Sequence, residues 1–143
     1  MKSLYEGRKE LFEGLWIYDQ WNWERQLPVI HIQFSKSDYQ GLGLEQAIVD
    51  EIYYNANNLG IQLTKKTIKG SFSELIQKAA AQINKVVLLI DEYDKPIIDY
   101  LDDIPQAKSN RKILKSFYSV LKDSDPYLEL VFITGVSLSL IHI

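Results

Sequence analysis

Lys85-Val86-Val87-Leu88-Leu89-Ile90-Asp91-Glu92-Tyr93-Asp94-Lys95-Pro96 is the stretch that decides the fold. Five consecutive apolar residues with no polar alternation predict a strand covered on both faces, which means a parallel sheet between helices. Two adjacent carboxylates, Asp91 and Glu92, then fall at the carboxyl end of that strand. In open α/β sheets ligands bind just beyond the carboxyl ends of the strands, so this pair stands where chemistry is expected.

Adjacency of the two carboxylates has a chemical use. As the chain leaves the strand their side chains diverge, so one can hold a Mg²⁺ ion, commonly through water, while the other orients and deprotonates an attacking water. Nucleoside triphosphate hydrolysis requires that division of labour, because its catalysis is largely positioning and charge neutralisation around a phosphoryl group. The pattern is that of the Walker B strand of P-loop ATPases. A purely structural pair, capping the next helix, is the competing reading. The phosphate-binding partner motif, Gly-x-x-x-x-Gly-Lys-Ser/Thr, does not occur in the sequence. None of the seven glycines (Gly7, Gly14, Gly41, Gly43, Gly60, Gly70 and Gly135) is followed by lysine. The chain therefore carries the metal and water half of such a site without the phosphate half.

Working outward, Leu4, Leu11, Phe12 and Leu15 predict a helix over residues 2 to 14, stopped by Gly14. An aromatic linker with Trp16, Tyr18, Trp21 and Trp23 leads to Pro28 and a strand, Val29 to Phe34. Leu44, Ala47, Ile48, Ile52 and Leu59 mark a helix ending near Gly60. Ser71-Phe72-Ser73-Glu74 fits a capping box at the start of a helix buried through Leu75, Ile76, Ala79, Ala80 and Ile83. Beyond the acidic strand, a short helix is expected from Lys95 through Leu101 and a longer one from about Gln106 to Lys122. A last strand, Leu128 to Thr134, follows. Three strands separated by helical connections predict a parallel α/β sheet.

With 143 residues, 46% of them hydrophobic, the chain can bury the core of one domain. A formal charge of −3 gives no global basic field for nucleic acid or anionic lipid. The absence of cysteine excludes disulfides and thiol catalysis. No apolar run has membrane length and no signal-peptide core follows Met1, so a cytoplasmic location is expected.

Taken together, Leu11-Phe12-x-Gly14-Leu15, Pro28-Val29-Ile30-His31-Ile32, the run from Val87 through Pro96, Phe117-Tyr118-Ser119-Val120-Leu121-Lys122 and Phe132-Ile133-Thr134-Gly135-Val136 resemble the bacterial AAA-ATPase-like family. The resemblance spans the chain up to about Ser137. Members look like P-loop ATPases, often followed by a nuclease-like domain of the PD-(D/E)xK type. The resemblance implies that Asp91 takes the Mg²⁺ role, Glu92 activates water, and Thr134 occupies the sensor position. It implies a parent protein that binds and hydrolyses ATP with Mg²⁺, its phosphate loop falling just before Met1, and a segment that alone is inactive. It further implies a partial P-loop fold with three strands in the order 4-3-2, the phosphate-loop strand missing, and Leu128 to Thr134 left as an exposed apolar edge open to self-association. Leu138-Ser139-Leu140-Ile141-His142-Ile143 departs from the family and looks like a translated sequencing adapter, so the domain is expected to comprise residues 1 to 137 with a non-native tail at 138 to 143.

Two other readings are carried forward. Asp91, Glu92 and Asp94 could form the metal cluster of a phosphodiesterase or nuclease, or the chain could be a non-catalytic interaction module. For single residues the simpler readings are preferred: Asp94 as a helix cap, His31 as a partly buried strand residue, the tryptophans as a linker packed against the sheet, and Lys108, Arg111, Lys112, Lys115 and Lys122 as a solvated helix face.

Overall fold

The computed structural model describes residues 1–136, so the tail expected at 138 to 143 lies outside the described residues. Three strands, β1 (Val29–Gln33), β2 (Val86–Asp91) and β3 (Leu128–Ile133), form one sheet in the order β1-β2-β3. Both pairings are parallel, with Ile30 opposite Leu88 and Ile90 opposite Ile133. The apolar strand is therefore central, as expected from a run buried on both faces. Read from β3 to β1, the order is the 4-3-2 arrangement of a partial P-loop-like fold.

One face of the sheet packs on α4 (Leu44–Asn58), α5 (Ile68–Ile83) and α7 (Ile104–Asp123). Ile30, Ile32, Leu88 and Ile90 project from the strands into this core against Ile48, Ile52, Phe72, Leu75 and Phe117. The opposite face carries a smaller cluster, Leu27, Val29, Val87 and Leu89, covered in part by Tyr5. Strand residues alternate between these faces, so the residues at 29, 31 and 33, at 87, 89 and 91, and at 130, 132 and 134 share the thinner one.

Four local expectations change. The helix expected over residues 2 to 14 is broken into α1 (Lys2–Tyr5), a 3₁₀ turn at Lys9–Phe12 and, further on, α2 (Ile17–Gln20). Gly7 sits at φ 76° with Gln26 packed against it, and this left-handed residue ends α1 after a single turn. α5 begins one turn before the expected capping box: Thr67 is the N-cap and its Oγ1 accepts from Gly70 N at 3.0 Å. Ser71 is buried inside the helix, donating to Thr67 O at 2.7 Å, while Glu74 binds the loop amides of Thr64 and Lys65.

The helix after the acidic strand, α6 (Lys95–Ile98), is shorter than expected, and α7 starts earlier, at Ile104, because Asp103 caps it through Gln106 N. Of the tryptophans, Trp21 packs edge-on to Tyr5 and Trp23 lies against Phe12 and Tyr18. Trp16 is 77% exposed and takes no part in covering the sheet. Lys108, Lys112, Lys115 and Lys122 lie on the solvent side of α7, as expected, whereas Arg111 is half-buried.

The two edges of the sheet differ. β1 is closed by side chains of α4: Asn55 Oδ1 accepts from His31 N at 2.8 Å, Asn55 Nδ2 donates to His31 O at 3.0 Å, and Glu51 Oε2 accepts from Gln33 N at 3.3 Å. These groups point away from β2 and would otherwise be orphaned. β3 lies at the other edge with Phe132 44% exposed, matching the expectation of an exposed apolar edge strand.

Candidate functional site

Asp91 closes β2, and Thr134 follows β3 directly, so the parallel register delivers both to the same end of the sheet. Thr134 N donates to Ile90 O at 2.9 Å, extending the ladder by one step, and Tyr93 N returns to Thr134 O at 3.0 Å. Between these backbone links the side chains meet. Thr134 Oγ1 donates to Asp91 Oδ1 at 3.1 Å and accepts from Glu92 N at 3.2 Å. A single hydroxyl thus ties the carboxylate of one acidic residue to the backbone of the next.

Glu92 has φ 55°, a left-handed conformation that costs a non-glycine residue of order 1 kcal/mol or more. The turn sends the Glu92 side chain to solvent, while the Asp91 side chain stays partly buried beside β1. The divergence expected of adjacent carboxylates at a strand end is therefore present and held by the Thr134 bond. Glu92 and Thr134 line one rim of a cleft of about 470 Å³ whose other walls include Lys95, Ile98, Gly135 and Val136.

Asp91 has a partner the sequence did not announce. His31, on the neighbouring strand and the same face, places Nε2 2.6 Å from Asp91 Oδ2. Gln33 Nε2 lies 3.2 Å from the same imidazole nitrogen. Burial works against the charge on Asp91, but hydrogen bonds from His31 and Thr134 outweigh it and hold the carboxyl below its ordinary value. Asp91 is accordingly an ionised carboxylate at neutral pH.

The chemistry of this donor set suits a hydrated magnesium ion. Mg²⁺ is a hard cation that keeps several waters and is usually held by one or two carboxylates together with substrate phosphates. A carboxylate offers about four lone-pair sites; His31, Thr134 and Gln33 are the donors to Asp91, so capacity remains for a metal-bound water. Among the described residues, no group of three or more His, Cys, Asp or Glu side chains is arranged to hold a metal by itself. Asp94 is 1% exposed and lies in the wall of the cleft that Glu92 and Thr134 line, beside Gly135. It occupies the N-cap position of α6, where its carbonyl accepts from Ile97 N and Ile98 N, but its carboxylate makes no capping bond. The helix-cap reading of Asp94 thus holds for its backbone and not for its side chain.

Sequence reasoning missed His31 as a site residue and missed Asn55 altogether. The signal for Asn55 was available: it falls in the apolar stripe of α4, between Ile52 and Leu59, where a buried amide needs a reason. His31 could be connected to Asp91 only through the strand register, which a single sequence does not state.

Among the described residues no helix is long and apolar enough to cross a membrane. No solved structure matches the chain. A protein of Azotobacter chroococcum mcd 1, described as "Uncharacterized protein in vnfD 5'region", is 39% identical over 139 residues, which cover 96% of this chain and 27% of that protein. The chain thus spans about a quarter of the length of that relative. The model of the AAA-ATPase-like family, described as "Predicted AAA-ATPase", matches residues 1–141. The chain belongs to the AAA-ATPase-like family.

Proposed function

We propose that this segment supplies the acidic strand and sensor of an ATP-hydrolysing site, within a protein that binds ATP and Mg²⁺ through a phosphate loop outside the sequence described. Asp91 is the carboxylate that holds the hydrated metal, Glu92 the base for the attacking water, and Thr134 the sensor. The observation that carries this reading is the convergence of Asp91, Glu92 and Thr134 through one hydroxyl at the carboxyl end of a parallel sheet.

The metal, when bound, neutralises charge on the phosphates and on the leaving group. The chain's own residues do the rest. Against the opposing effect of burial, hydrogen bonds from His31, Thr134 and Gln33 hold the Asp91 carboxyl below its ordinary value. Glu92, exposed at the rim of the cleft, is free to accept a proton from water. Thr134 has one O–H and gives it to Asp91, so acting as a sensor toward phosphate requires that bond to be exchanged.

The nuclease reading needs Asp91, Glu92 and Asp94 arranged as one metal cluster, and no such group occurs among the described residues. The interaction-module reading draws on the position of β3 at the edge of the sheet among the described residues, with Phe132 exposed, and self-association through this edge is compatible with the ATPase reading.

The test uses the full-length gene product that carries this segment, loaded with ATP and Mn²⁺ in place of Mg²⁺. Paramagnetic broadening centred on the amides of Asp91, Glu92 and Thr134 supports the assignment. Broadening centred elsewhere, or none at saturating ATP, refutes it.

A further inference from the structure

We infer that His31 is a positioning residue for Asp91, and that Asn55 on α4 sets its place. The inference rests on the proposed metal role of Asp91 and extends it to a side chain from a different strand and a clamp from a different layer.

Four observations converge. First, His31 Nε2 lies 2.6 Å from Asp91 Oδ2, a short hydrogen bond to a charged acceptor. A carboxylate can only accept, so Nε2 carries the hydrogen, and Gln33 Nε2, a donor too, gives its hydrogen to Asp91 rather than to the imidazole. Second, the two residues are not directly opposite. Gln33 faces Asp91 in the register and His31 faces Leu89, so His31 reaches diagonally across the sheet, and the long imidazole is what spans that gap. Third, His31 is fixed from behind: Asn55, 4% exposed, brackets both its backbone N–H and its C=O and also donates to Glu51 O at 2.9 Å. Fourth, the other Asp91 oxygen is held by Thr134 from β3. The central carboxylate is therefore gripped from both neighbouring strands, by His31 and Gln33 of β1 and by Thr134 beyond β3, which fixes its orientation.

Carboxylates that serve metals are commonly oriented by a second layer of hydrogen bonds, whose removal costs about 10- to 100-fold in metal affinity. His31 would supply that layer from β1. His31 also lines a polar cleft of about 370 Å³ together with Gln33, Lys36, Glu51, Tyr54 and Asn55.

In the ¹⁵N-histidine-labelled full-length protein, the His31 resonance is assigned as the one lost in His31→Leu, and its Nε2 is expected to be protonated. Asp91→Asn should shift that resonance, and the distant Asp125→Asn should not. In the same protein, His31→Leu is expected to raise the Mg²⁺ concentration for half-maximal ATP hydrolysis about tenfold or more. His31→Gln, which keeps an N–H donor within reach, should restore most of it. An unprotonated Nε2, or unchanged Mg²⁺ dependence in His31→Leu while Asp91→Ala abolishes hydrolysis, overturns the inference. If Asp91→Ala leaves hydrolysis intact, the ATPase reading itself falls and metal positioning falls with it, whatever the spectrum shows.

Discussion

Replacing Asn55 by leucine isolates the contribution of one buried amide to the sheet edge. The two side chains have nearly the same shape, so packing against α4 and β1 is kept and only polarity changes. Asn55 answers three backbone groups: His31 N–H, His31 C=O and Glu51 C=O. Glu51 C=O lies inside α4, where the intrahelical ladder serves it, so its loss counts little. The two groups on β1 point away from β2 and become buried and unpaired. Each such orphan costs about 1–3 kcal/mol. The sum is about 2–6 kcal/mol, reduced by about 1 kcal/mol for the more favourable burial of leucine, against the 5–15 kcal/mol by which typical domains are stable. With a urea dependence of about 2 kcal/mol/M, a net loss near 3 kcal/mol moves the midpoint down by about 1.5 M. Equilibrium urea unfolding by tryptophan fluorescence reads that shift, and hydrogen exchange at the His31 amide should accelerate locally. Asn57→Leu on the exposed side of the same helix is the control, expected within about 0.5 kcal/mol of the parent. A shift below about 0.5 M for Asn55→Leu, with exchange at His31 unchanged, would show that the edge is satisfied some other way.

Other perturbations test other parts of the account. A Cβ on Gly135 would overlap the Tyr93 ring and lie 2.9 Å from Asp94 Oδ1, both on buried side chains. Gly135→Ala is therefore expected to cost about 1–3 kcal/mol or more in chemical denaturation, and to lower hydrolysis in the full-length protein by displacing Thr134. Glu74, bonded by Lys78 at 2.8 Å and by the amides of Thr64 and Lys65, has its carboxyl lowered to about 2. A lowered carboxyl stabilises the fold above its ordinary value and loses that contribution as pH falls through the lowered one. Glu74→Gln should therefore flatten the fall in stability between about pH 4.5 and 2, seen by acid titration of the unfolding midpoint. Phe132 is exposed on the edge strand, and sedimentation of the 143-residue chain should show self-association that Phe132→Lys reduces.

The central strand was the most legible part of the fold, because an unbroken run from Val86 to Ile90 can be satisfied only between two other strands and under two layers. A parallel sheet with Asp91 at the carboxyl end of its central strand follows once the helical connections between the three strands are added to that run. Residues 2 to 14 misled because apolar spacing was read without weighing Gly7, whose left-handed conformation ends the helix early. Ser71-Phe72-Ser73-Glu74 misled because a capping box and a helix interior share the same letters. Thr67 was an equally good cap, and Glu74 found a tertiary use holding the preceding loop. The meeting of Asp91, Glu92 and Thr134 at one end of the sheet was legible from motif order. His31 was not, since its meaning depends on which residues of β1 and β2 share a face and a register. Asn55 lay in plain view as a polar residue in an apolar stripe, and the edge of the sheet explains it.

The most direct test of the central claim is hydrolysis of ATP by the full-length protein with Glu92→Gln beside its unaltered parent, with nucleotide binding measured in the same samples. Glu92→Gln keeps the shape and the turn while removing the base, so the expected result is intact ATP binding with hydrolysis lowered by about 10²-fold or more. Hydrolysis at the parental rate, with binding also unchanged, would contradict the assignment of the acidic pair and leave the convergence of Asp91, Glu92 and Thr134 a structural feature of the sheet.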